Sequence, residues 1–226
     1  MPFIPLNSRI PDTTLGAWHI EEDELYFLER VKLYENEWAR LARINHPQRR
    51  LEWLSSRLCL KELLKIANHT RVESLNTSSG KPYLSDNSHH ISYTHSTQYS
   101  AAIASQGVEV GIDLEYLHRR RNQQTRHLFM NEEEIHHFNN HPSFELFILV
   151  WSAKESLYKI LGEGHAFKHD MVMHLENFEL ADNGTLTATV KTSGVVQSYA
   201  VHYILHADYI LTYTADRVWV GSSQAG

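Results

Sequence analysis

One short segment of the chain carries two acidic side chains in the pattern of a half-buried strand. It is GIDLE, residues 111–115. In an extended strand, successive side chains alternate between faces, so Asp113 and Glu115 point to one side while Ile112 and Leu114 point to the other. The segment therefore predicts a strand with an apolar core face and two carboxylates on the opposite face.

A second segment carries the matching helical pattern. It is WSAKESLYK, residues 151–159. In a helix Glu155 and Lys159 are four residues apart and share one face, with Lys154 beside them. If this helix packs on the strand described above, three carboxylates and two lysines meet at one point. A hard divalent cation that holds a pyrophosphate requires such a set, because the metal takes oxygen ligands and the phosphates take ammonium groups.

Each segment alone has an ordinary explanation. An edge strand can display two solvated acids. A surface pair such as Glu155 and Lys159 contributes only about 0.3–0.5 kcal/mol to a helix. The joint pattern is more specific, because both segments lie at the edges of apolar core elements rather than in loops.

The elements that must position these residues can be read from periodicity and capping signals. A strand is predicted at 108–115, and Pro142 and Ser143 open a long helix that continues to Leu161. Gly162 and Gly164 close that helix. Its apolar stripe consists of Leu146, Leu149, Val150, Ala153, Leu157 and Ile160.

The rest of the chain predicts further helices and antiparallel strands. A short helix opens at Asn131, with Glu134 three residues later in a capping-box spacing. Two longer helices are predicted at 21–44 and 48–67, on either side of a break at His46 and Pro47. Strands are predicted at 15–20, 90–95, 99–105, 178–180, 185–190, 195–203 and 209–214, the last group as a meander.

The two halves repeat one order of elements: a strand, then helices, then antiparallel strands. This order predicts an α+β fold of two similar subdomains related by a pseudo-twofold axis, each an antiparallel sheet packed with helices. The predicted boundary falls near Gln106 and Gly107, giving subdomains 1–106 and 107–226, the second of which carries the acids. Because ligand sites favour such junctions, the active site is expected in the cleft between the subdomains.

Composition limits the classes of function. The chain has 226 residues, of which 42% are hydrophobic and 21% charged, as in an ordinary globular protein. The net charge of −6 disfavours a nucleic-acid binder. A single cysteine, Cys59, excludes an internal disulfide and a four-cysteine zinc site. No apolar run has the length of a membrane span, so a cytoplasmic protein without a membrane association is expected.

The two segments also resemble the signature motifs of the 4′-phosphopantetheinyl transferases. Three further segments agree in order and spacing: GKP at 80–82 resembles the family's Gly-Lys-Pro loop, ISYTHS at 91–96 its Ser-His-Ser strand, and FMNEEE at 129–134 the helix start between the signatures. The similarity covers roughly residues 48–170. The two-subdomain length resembles the surfactin-synthetase-activating type, rather than the half-length type that assembles as trimers, and a monomer is expected.

The resemblance implies a reaction and a set of roles. These enzymes move phosphopantetheine from coenzyme A to a serine of an acyl or peptidyl carrier protein and release adenosine 3′,5′-bisphosphate. By this resemblance Asp113, Glu115 and Glu155 bind Mg²⁺, and Glu155 also deprotonates the carrier serine, directly or through water. Lys159 contacts the pyrophosphate and stabilises the leaving group.

The resemblance also implies groups that bind the two substrates. The residues that correspond to coenzyme A ligands are Lys81, Thr94, His95, Lys154, Arg49, Arg50 and Arg57, with the register of the arginine-containing helix left open. The basic residues Arg119, Arg120 and Arg121 are candidates for docking the carrier.

Two alternatives stay open from the sequence. The same acids would serve a Mg²⁺-dependent nucleotide phosphohydrolase, and a chain that binds coenzyme A or a carrier without turnover would share much of the pattern. The sequence does not distinguish among carriers of fatty-acid, polyketide or nonribosomal-peptide synthesis.

Overall fold

The computed structural model describes residues 3–66, 72–118, 121–192 and 194–216. Six strands and three helices lie in the described part of the first half. In chain order they are β1 (Phe3–Leu6), β2 (Thr13–His19), α1 (Glu24–Arg30), α2 (Glu35–Leu41), α3 (Pro47–Ile66), β3 (Ser74–Asn76), β4 (Pro82–Leu84), β5 (His90–Ser96) and β6 (Tyr99–Ser105). Four of these strands form an antiparallel sheet in the order β1-β2-β6-β5, and β3 and β4 form a separate hairpin.

The second half has the same kinds of element. They are β7 (Val110–Tyr116), a 3₁₀ helix (Gln123–Leu128), α4 (Glu132–Asn140), α5 (Phe144–Leu161), β8 (Met171–Met173), β9 (Asn183–Thr192), β10 (Val195–Leu205) and β11 (Tyr209–Ala215). The second sheet is antiparallel in the order β7-β11-β10-β9-β8. The meander predicted for the end of the chain is confirmed in β9, β10 and β11.

Each half has its own hydrophobic core between one long helix and one sheet. Leu54, Leu58 and Leu63 of α3 pack with Ala102 and other residues of the first sheet. Residues of α5 pack in the same way on the second sheet, including Phe147, Leu149 and Leu157. Full burial of such a side chain contributes roughly 1.5–3 kcal/mol, so these two helix faces account for much of what holds each half together.

The two halves follow the same path and share a third core. The run β2-β6-β5 with α3 corresponds to the run β7-β11-β10 with α5. The sheet faces turned away from the long helices meet each other, through side chains such as Ala101, Ile103, Ile112 and Leu211. The predicted fold class, α+β with antiparallel sheets packed against helices, is confirmed.

Hydroxyl groups join the sheets where the edge strands β5 and β7 run side by side. The Ser92 hydroxyl accepts from the backbone N–H of Ile112 at 3.4 Å, and the Ser96 hydroxyl accepts from that of Tyr116 at 3.1 Å. These serines lie at alternate positions of β5, as one face of a strand requires. The seam brings β5 against the strand that carries Asp113 and Glu115.

Several local predictions are confirmed and two are corrected. Ser143 caps α5, Gly162 ends it with a positive φ of 78°, and Asn131 and Glu134 form a capping box on α4. The single helix predicted at 21–44 is instead the two helices α1 and α2. The first ends at the buried residue Val31, where the backbone becomes extended. The strand predicted at 178–180 is absent from the described residues there.

Four short strands went unpredicted. β3 and β4 pair with each other. β8 pairs with β9, and β1 pairs with β2 at the sheet edge, where a strand tolerates its proline. Within the described part of the chain, no helix is both long and apolar enough to cross a membrane.

Candidate functional site

A glycine lets the helix α5 approach the strand β7 closely. A Cβ placed on Gly111 would lie 1.9 Å from the backbone oxygen of Ser156. Any larger residue at this position would therefore push the helix away. Gly111 shares its strand face with Asp113 and Glu115, so the close approach brings α5 directly against both acids.

Asp113 is buried between the strand and two donors. Its Oδ1 accepts from Nζ of Lys159 at 2.9 Å and from the hydroxyl of Thr94 at 3.1 Å. Its Oδ2 is buried and has no hydrogen-bond partner among the described residues. A buried carboxylate oxygen without a donor is costly, and a cation is one group that would satisfy it.

Glu115 is buried next to Asp113 and has three neighbours that donate to it. Its Oε1 accepts from the indole N–H of Trp151 at 2.9 Å and from the guanidinium of Arg121. Its Oε2 has a longer contact of 3.5 Å with the Ser96 hydroxyl. Burial, followed by the charge of Asp113, raises the pKa of Glu115 to about 7, even though Arg121 and Trp151 act in the other direction.

Glu155 and Lys159 complete the set from α5. The pKa of Glu155 is raised, first by burial and then by the charge of Asp113 on the neighbouring strand. Lys159 donates to the backbone oxygen of Ile112 at 2.6 Å as well as to Asp113. The convergence of strand and helix that the sequence predicts is therefore present.

The donor set fits a hard divalent cation in chemistry and in charge. The charge of Asp113 adds to burial in raising the pKa of Glu115 and of Glu155, and one buried oxygen of Asp113 has no donor among the described residues. As arranged here, however, no three His, Cys, Asp or Glu side chains of the described residues are placed to share one metal ion. Lys159 and Arg121 instead hold one oxygen each of Asp113 and Glu115.

A pocket of about 260 Å³ opens beside these residues, between the two halves of the chain. The hairpin β3–β4 and the strand β5 supply one wall, and the end of α5 supplies the other. Cationic and aromatic side chains line it, together with the glycine of the GKP loop: Arg40, Gly80, Lys81, Tyr93, Tyr158 and Lys159. Three cations around a cavity of this size suit a ligand that carries phosphate groups.

Lys81 is the predicted coenzyme A ligand that the structure brings to the pocket. Its ammonium group contacts Glu109 and donates to the backbone oxygen of Ile160 at 3.2 Å, near the end of α5. It therefore also links the GKP loop of the first half to the helix of the second. The side chain keeps about a third of its surface exposed, which leaves it accessible to a ligand.

Two other predicted ligands are buried in the protein. Lys154 is 0% exposed, and its ammonium donates to Glu134 at 2.7 Å, to the Phe129 oxygen at 2.7 Å and to the Phe167 oxygen at 2.9 Å. With three donors and three protein acceptors it has none left for a phosphate. This placement does not fit the role expected for Lys154.

Arg57 is also buried, at 3% exposed, and lies behind the pocket rather than in its wall. Its guanidinium stacks between the rings of Trp53 and Tyr93 and donates to the Tyr93 hydroxyl at 2.9 Å. Burial lowers the pKa of Arg57 to about 10, so the side chain is still a cation at neutral pH. Its contact with the pocket runs through Tyr93.

The remaining predicted ligands are spread over several surfaces. Arg50 binds Glu24 through Nε and Nη2 and also donates to two backbone oxygens, which ties α3 to α1 and to the end of α2. Arg49 is exposed on α3. His95 lies 3.2 Å from Glu52, and Thr94 contacts Asp113 rather than the pocket.

The basic stretch predicted to dock a carrier is only partly described. Arg119 and Arg120 lie outside the described residues. Arg121 is described and binds Glu115, with its guanidinium 5.1 Å from the ring of Trp151. It is therefore part of the acid site itself.

Three residues that line the pocket are not among the predicted site residues. One is Arg40 of α2, a helix that the sequence pattern does not separate from α1. Tyr93 and Tyr158 lie inside quoted motifs but were given no role. Two signals in the sequence point to them. Tyr93 follows Ser92 in the strand, and Tyr158 comes one residue before Lys159 in the helix.

Two comparisons with known proteins agree with this geometry. The sequence model of the 4′-phosphopantetheinyl transferase superfamily matches residues 109–214. A holo-[acyl-carrier-protein] synthase of Acholeplasma laidlawii is 33% identical over 108 residues, which covers 92% of that protein and 37% of this chain.

The region that the family model matches thus contains all four of these residues: Asp113, Glu115, Glu155 and Lys159. The chain belongs to the 4′-phosphopantetheinyl transferase superfamily. Membership in this family and the similarity to this relative support a phosphopantetheinyl transferase activity.

Proposed function

We propose that the chain transfers 4′-phosphopantetheine from coenzyme A to a serine of an apo acyl or peptidyl carrier protein, in a Mg²⁺-dependent reaction. The other product is adenosine 3′,5′-bisphosphate. The observation that carries the proposal is the meeting of Asp113 and Glu115 of β7 with Glu155 and Lys159 of α5, beside a pocket lined by cations.

In this proposal Asp113, Glu115 and Glu155 hold the magnesium ion. A bound Mg²⁺ supplies charge neutralisation for the pyrophosphate oxygens of coenzyme A. The free Oδ2 of Asp113 is the first ligand, since it already lies buried without a donor. Thr94 and Trp151 orient the two strand acids through their other oxygens.

The chemical step needs a proton acceptor and a stabilised leaving group. The carrier serine oxygen forms a bond to the phosphorus next to pantetheine, and the bridging P–O bond to the nucleotide phosphate breaks. Glu155 takes the serine proton, directly or through one water, and burial makes it a better acceptor because its pKa is raised. Lys159 lies at the mouth of the pocket, where it offsets the charge that develops on the bridging oxygen.

We also propose that the pocket binds the coenzyme A phosphates. Lys81, Arg40 and Lys159 provide charge from three sides, and Tyr93 and Tyr158 provide aromatic surface. Arg57 acts as a positioning residue here, because it holds the Tyr93 ring and hydroxyl from behind.

The finer type that we propose is the two-subdomain, surfactin-synthetase-activating one, with subdomains at 1–106 and 107–226. Two observations support it. The first is the shared path of β2-β6-β5 with α3 and β7-β11-β10 with α5. The second is that the family model matches only residues 109–214, so the first half supplies a second wall that the matched region does not contain.

Carrier loading tests the proposed reaction. The protein is incubated with coenzyme A and several apo carrier proteins, either with Mg²⁺ or with EDTA. Mass spectrometry then measures the mass of each carrier. We expect a gain of one phosphopantetheine on at least one carrier, lost with EDTA and restored by Mg²⁺. Phosphate release without carrier modification would instead favour a phosphohydrolase, and coenzyme A binding without turnover would favour a binding protein.

Glu155→Gln tests the role of the helix acid. The substitution keeps the shape of the side chain but removes both the metal charge and the proton acceptor, so carrier loading should fall by at least about 10²-fold. Glu145→Gln, the same change in the first turn of α5, is the control and should retain loading. Circular dichroism and a thermal melt check that both variants fold, and near-normal loading by folded Glu155→Gln would refute the assignment.

A further inference from the structure

The two cations that contact the strand acids are held in different ways. Lys159 donates to Asp113 and also, at 2.6 Å, to the backbone oxygen of Ile112, an acceptor of the strand itself. Its position is thus fixed by β7 as well as by the acid. Arg121 has a different environment.

Arg121 reaches Glu115 from the segment between β7 and the 3₁₀ helix, and its side chain is 30% exposed. Its described contacts are the Oε1 atom of Glu115 and the face of Trp151, with the guanidinium carbon 5.1 Å from the ring centroid. Trp151 belongs to α5 and packs against Phe129 and Phe167, so it stays in place when Arg121 moves. Solvent is available to the guanidinium on its exposed side.

We propose that Arg121 and the divalent cation compete for Glu115, so that cation binding releases Arg121 from this carboxylate. This inference rests on the proposed metal site. Arg121 is then a counter-ion that the site exchanges, whereas Lys159 is a permanent member.

Charge and geometry both argue for exchange. Arg121 and a cation on Glu115 would lie a few ångströms apart in a largely buried site, where their repulsion is weakly screened. Arg121 and Trp151 both donate to Oε1 of the carboxylate, and its second oxygen has a longer contact with the Ser96 hydroxyl. Because only Arg121 of these three groups is both charged and exposed, it is the group that gives way.

Mn²⁺ binding measures this competition without any turnover. Free Mn²⁺ is titrated by electron paramagnetic resonance against the wild type, Arg121→Gln and Asp113→Asn. Arg121→Gln lacks the competing cation, so it should bind Mn²⁺ about tenfold more tightly than the wild type does. The matched control is Arg126→Gln, because Arg126 lies in the 3₁₀ helix that follows and contacts Gln123 and the ring of Phe138 instead of the acids. Its affinity should equal that of the wild type.

Tryptophan emission gives a second readout. Release of Arg121 from the face of Trp151 should change the emission of the wild type on addition of Mg²⁺, and the change should be absent in Arg121→Gln and in Trp151→Phe. A thermal melt confirms that each variant is folded.

The outcomes separate this inference from the proposed function. The proposed metal site itself fails if the wild type does not bind Mn²⁺, or if Asp113→Asn binds Mn²⁺ as tightly as the wild type. If the wild type binds Mn²⁺ in an Asp113-dependent way but Arg121→Gln binds it equally or more weakly, the metal site stands and the competition is refuted.

Discussion

Lys154 and Lys159 lie on the same helix but have opposite environments. Lys159 is a quarter exposed and contacts Asp113 at the pocket. Lys154 is enclosed in the core, where its pair with Glu134 joins α4 to α5 and where Glu134 also accepts from the backbone N–H of Met173 in β8. Burial lowers the pKa of Lys154 and raises that of Glu134, so each charge depends on the other.

The buried pair should be sensitive to loss of one partner. Lys154→Met leaves the Glu134 carboxylate enclosed without its cation, and we expect a loss of about 3–5 kcal/mol in the free energy of unfolding. Urea denaturation measures this change. The double variant Lys154→Met/Glu134→Gln should recover part of the loss, because no isolated charge is left.

Lys159→Met is the matched control for this pair. It should abolish carrier loading while costing much less stability, because the lysine is partly solvated. A Lys154→Met protein as stable as the wild type would contradict the structural role.

At this scale the helical spacing in the sequence already places Lys154 in the core. Lys154 comes four residues after Val150 and three before Leu157, both in the apolar stripe, so its position in the buried face is readable from helical spacing. Its partner is not readable, because Glu134 belongs to another helix and meets it only through tertiary packing. The grouping of Asp113 with Glu155 was predictable because strand and helix periodicities each put the acids on one face.

Among the elements, the contact of β7 with α5 sets the geometry of the site. Ser156 of the helix backbone sits where the Cβ of any residue other than glycine would lie at position 111. Backbone cannot give way as a side chain can. The separation of strand and helix, and hence the distance from Glu155 to Asp113, therefore depends on Gly111.

Gly111→Ala should force the helix outward. We expect a loss of about 1–3 kcal/mol or more in the free energy of unfolding, as in other overpacked cores, and a large loss of carrier loading in the protein that still folds. Denaturant midpoints and loading assays measure the two effects.

Gly16→Ala is the control for this prediction. Gly16 also lies in a strand, but there the added Cβ would meet mainly the outer ring atoms of Phe3, which belongs to the edge strand β1. The expected cost is smaller and loading should persist. Equal behaviour of the two variants would argue against a special role for the contact at Gly111.

Element boundaries were predictable where local chemistry marks them. Ser143, Gly162 and Asn131 are capping residues, and their helices begin or end as expected. The break between α1 and α2 has no proline or glycine, since it occurs at Val31, whose burial in the core turns the chain. β8 went unpredicted because three residues are too few to show a period.

Across the whole molecule, the start of the chain is bound to the strands β9 and β11 of the second sheet. Arg9 donates to Asn183 at 2.7 Å and to Thr185 at 3.4 Å, and its backbone N–H donates to the Tyr213 hydroxyl. His202 bonds the same Thr185 hydroxyl at 2.8 Å. This contact joins the two halves.

The histidine at this contact should make stability depend on pH. Burial, and then the charge of Arg9, lowers the pKa of His202 to about 4, below its ordinary value of 6.5. The unfolded chain therefore takes up a proton at this residue before the folded protein does. Stability from this group is complete above about pH 6.5 and is lost as the pH falls towards 4.

Urea unfolding at a series of pH values measures this dependence. His202→Gln should flatten the stability profile between about pH 6.5 and 4, whereas His127→Gln, a change at an exposed ring, should leave the profile as in the wild type. An unchanged slope in His202→Gln would exclude this histidine as the cause.

The repeated order of elements was sufficient to predict the architecture of two similar halves. It did not predict which strands of the two halves adjoin, because that choice depends on side-chain hydroxyls rather than on hydrophobic period. Ser92 and Ser96 look like ordinary polar residues of a strand until β7 is placed beside them.

The serine seam also protects the molecule from self-association. β5 and β7 are the outer strands of their sheets, and outward amides of such strands recruit strands from other chains. Here serine oxygens accept the N–H groups of Ile112 and Tyr116 inside the protein. The first half thus covers these outward amides of β7, and the second half produced by itself would expose them to pairing with other chains.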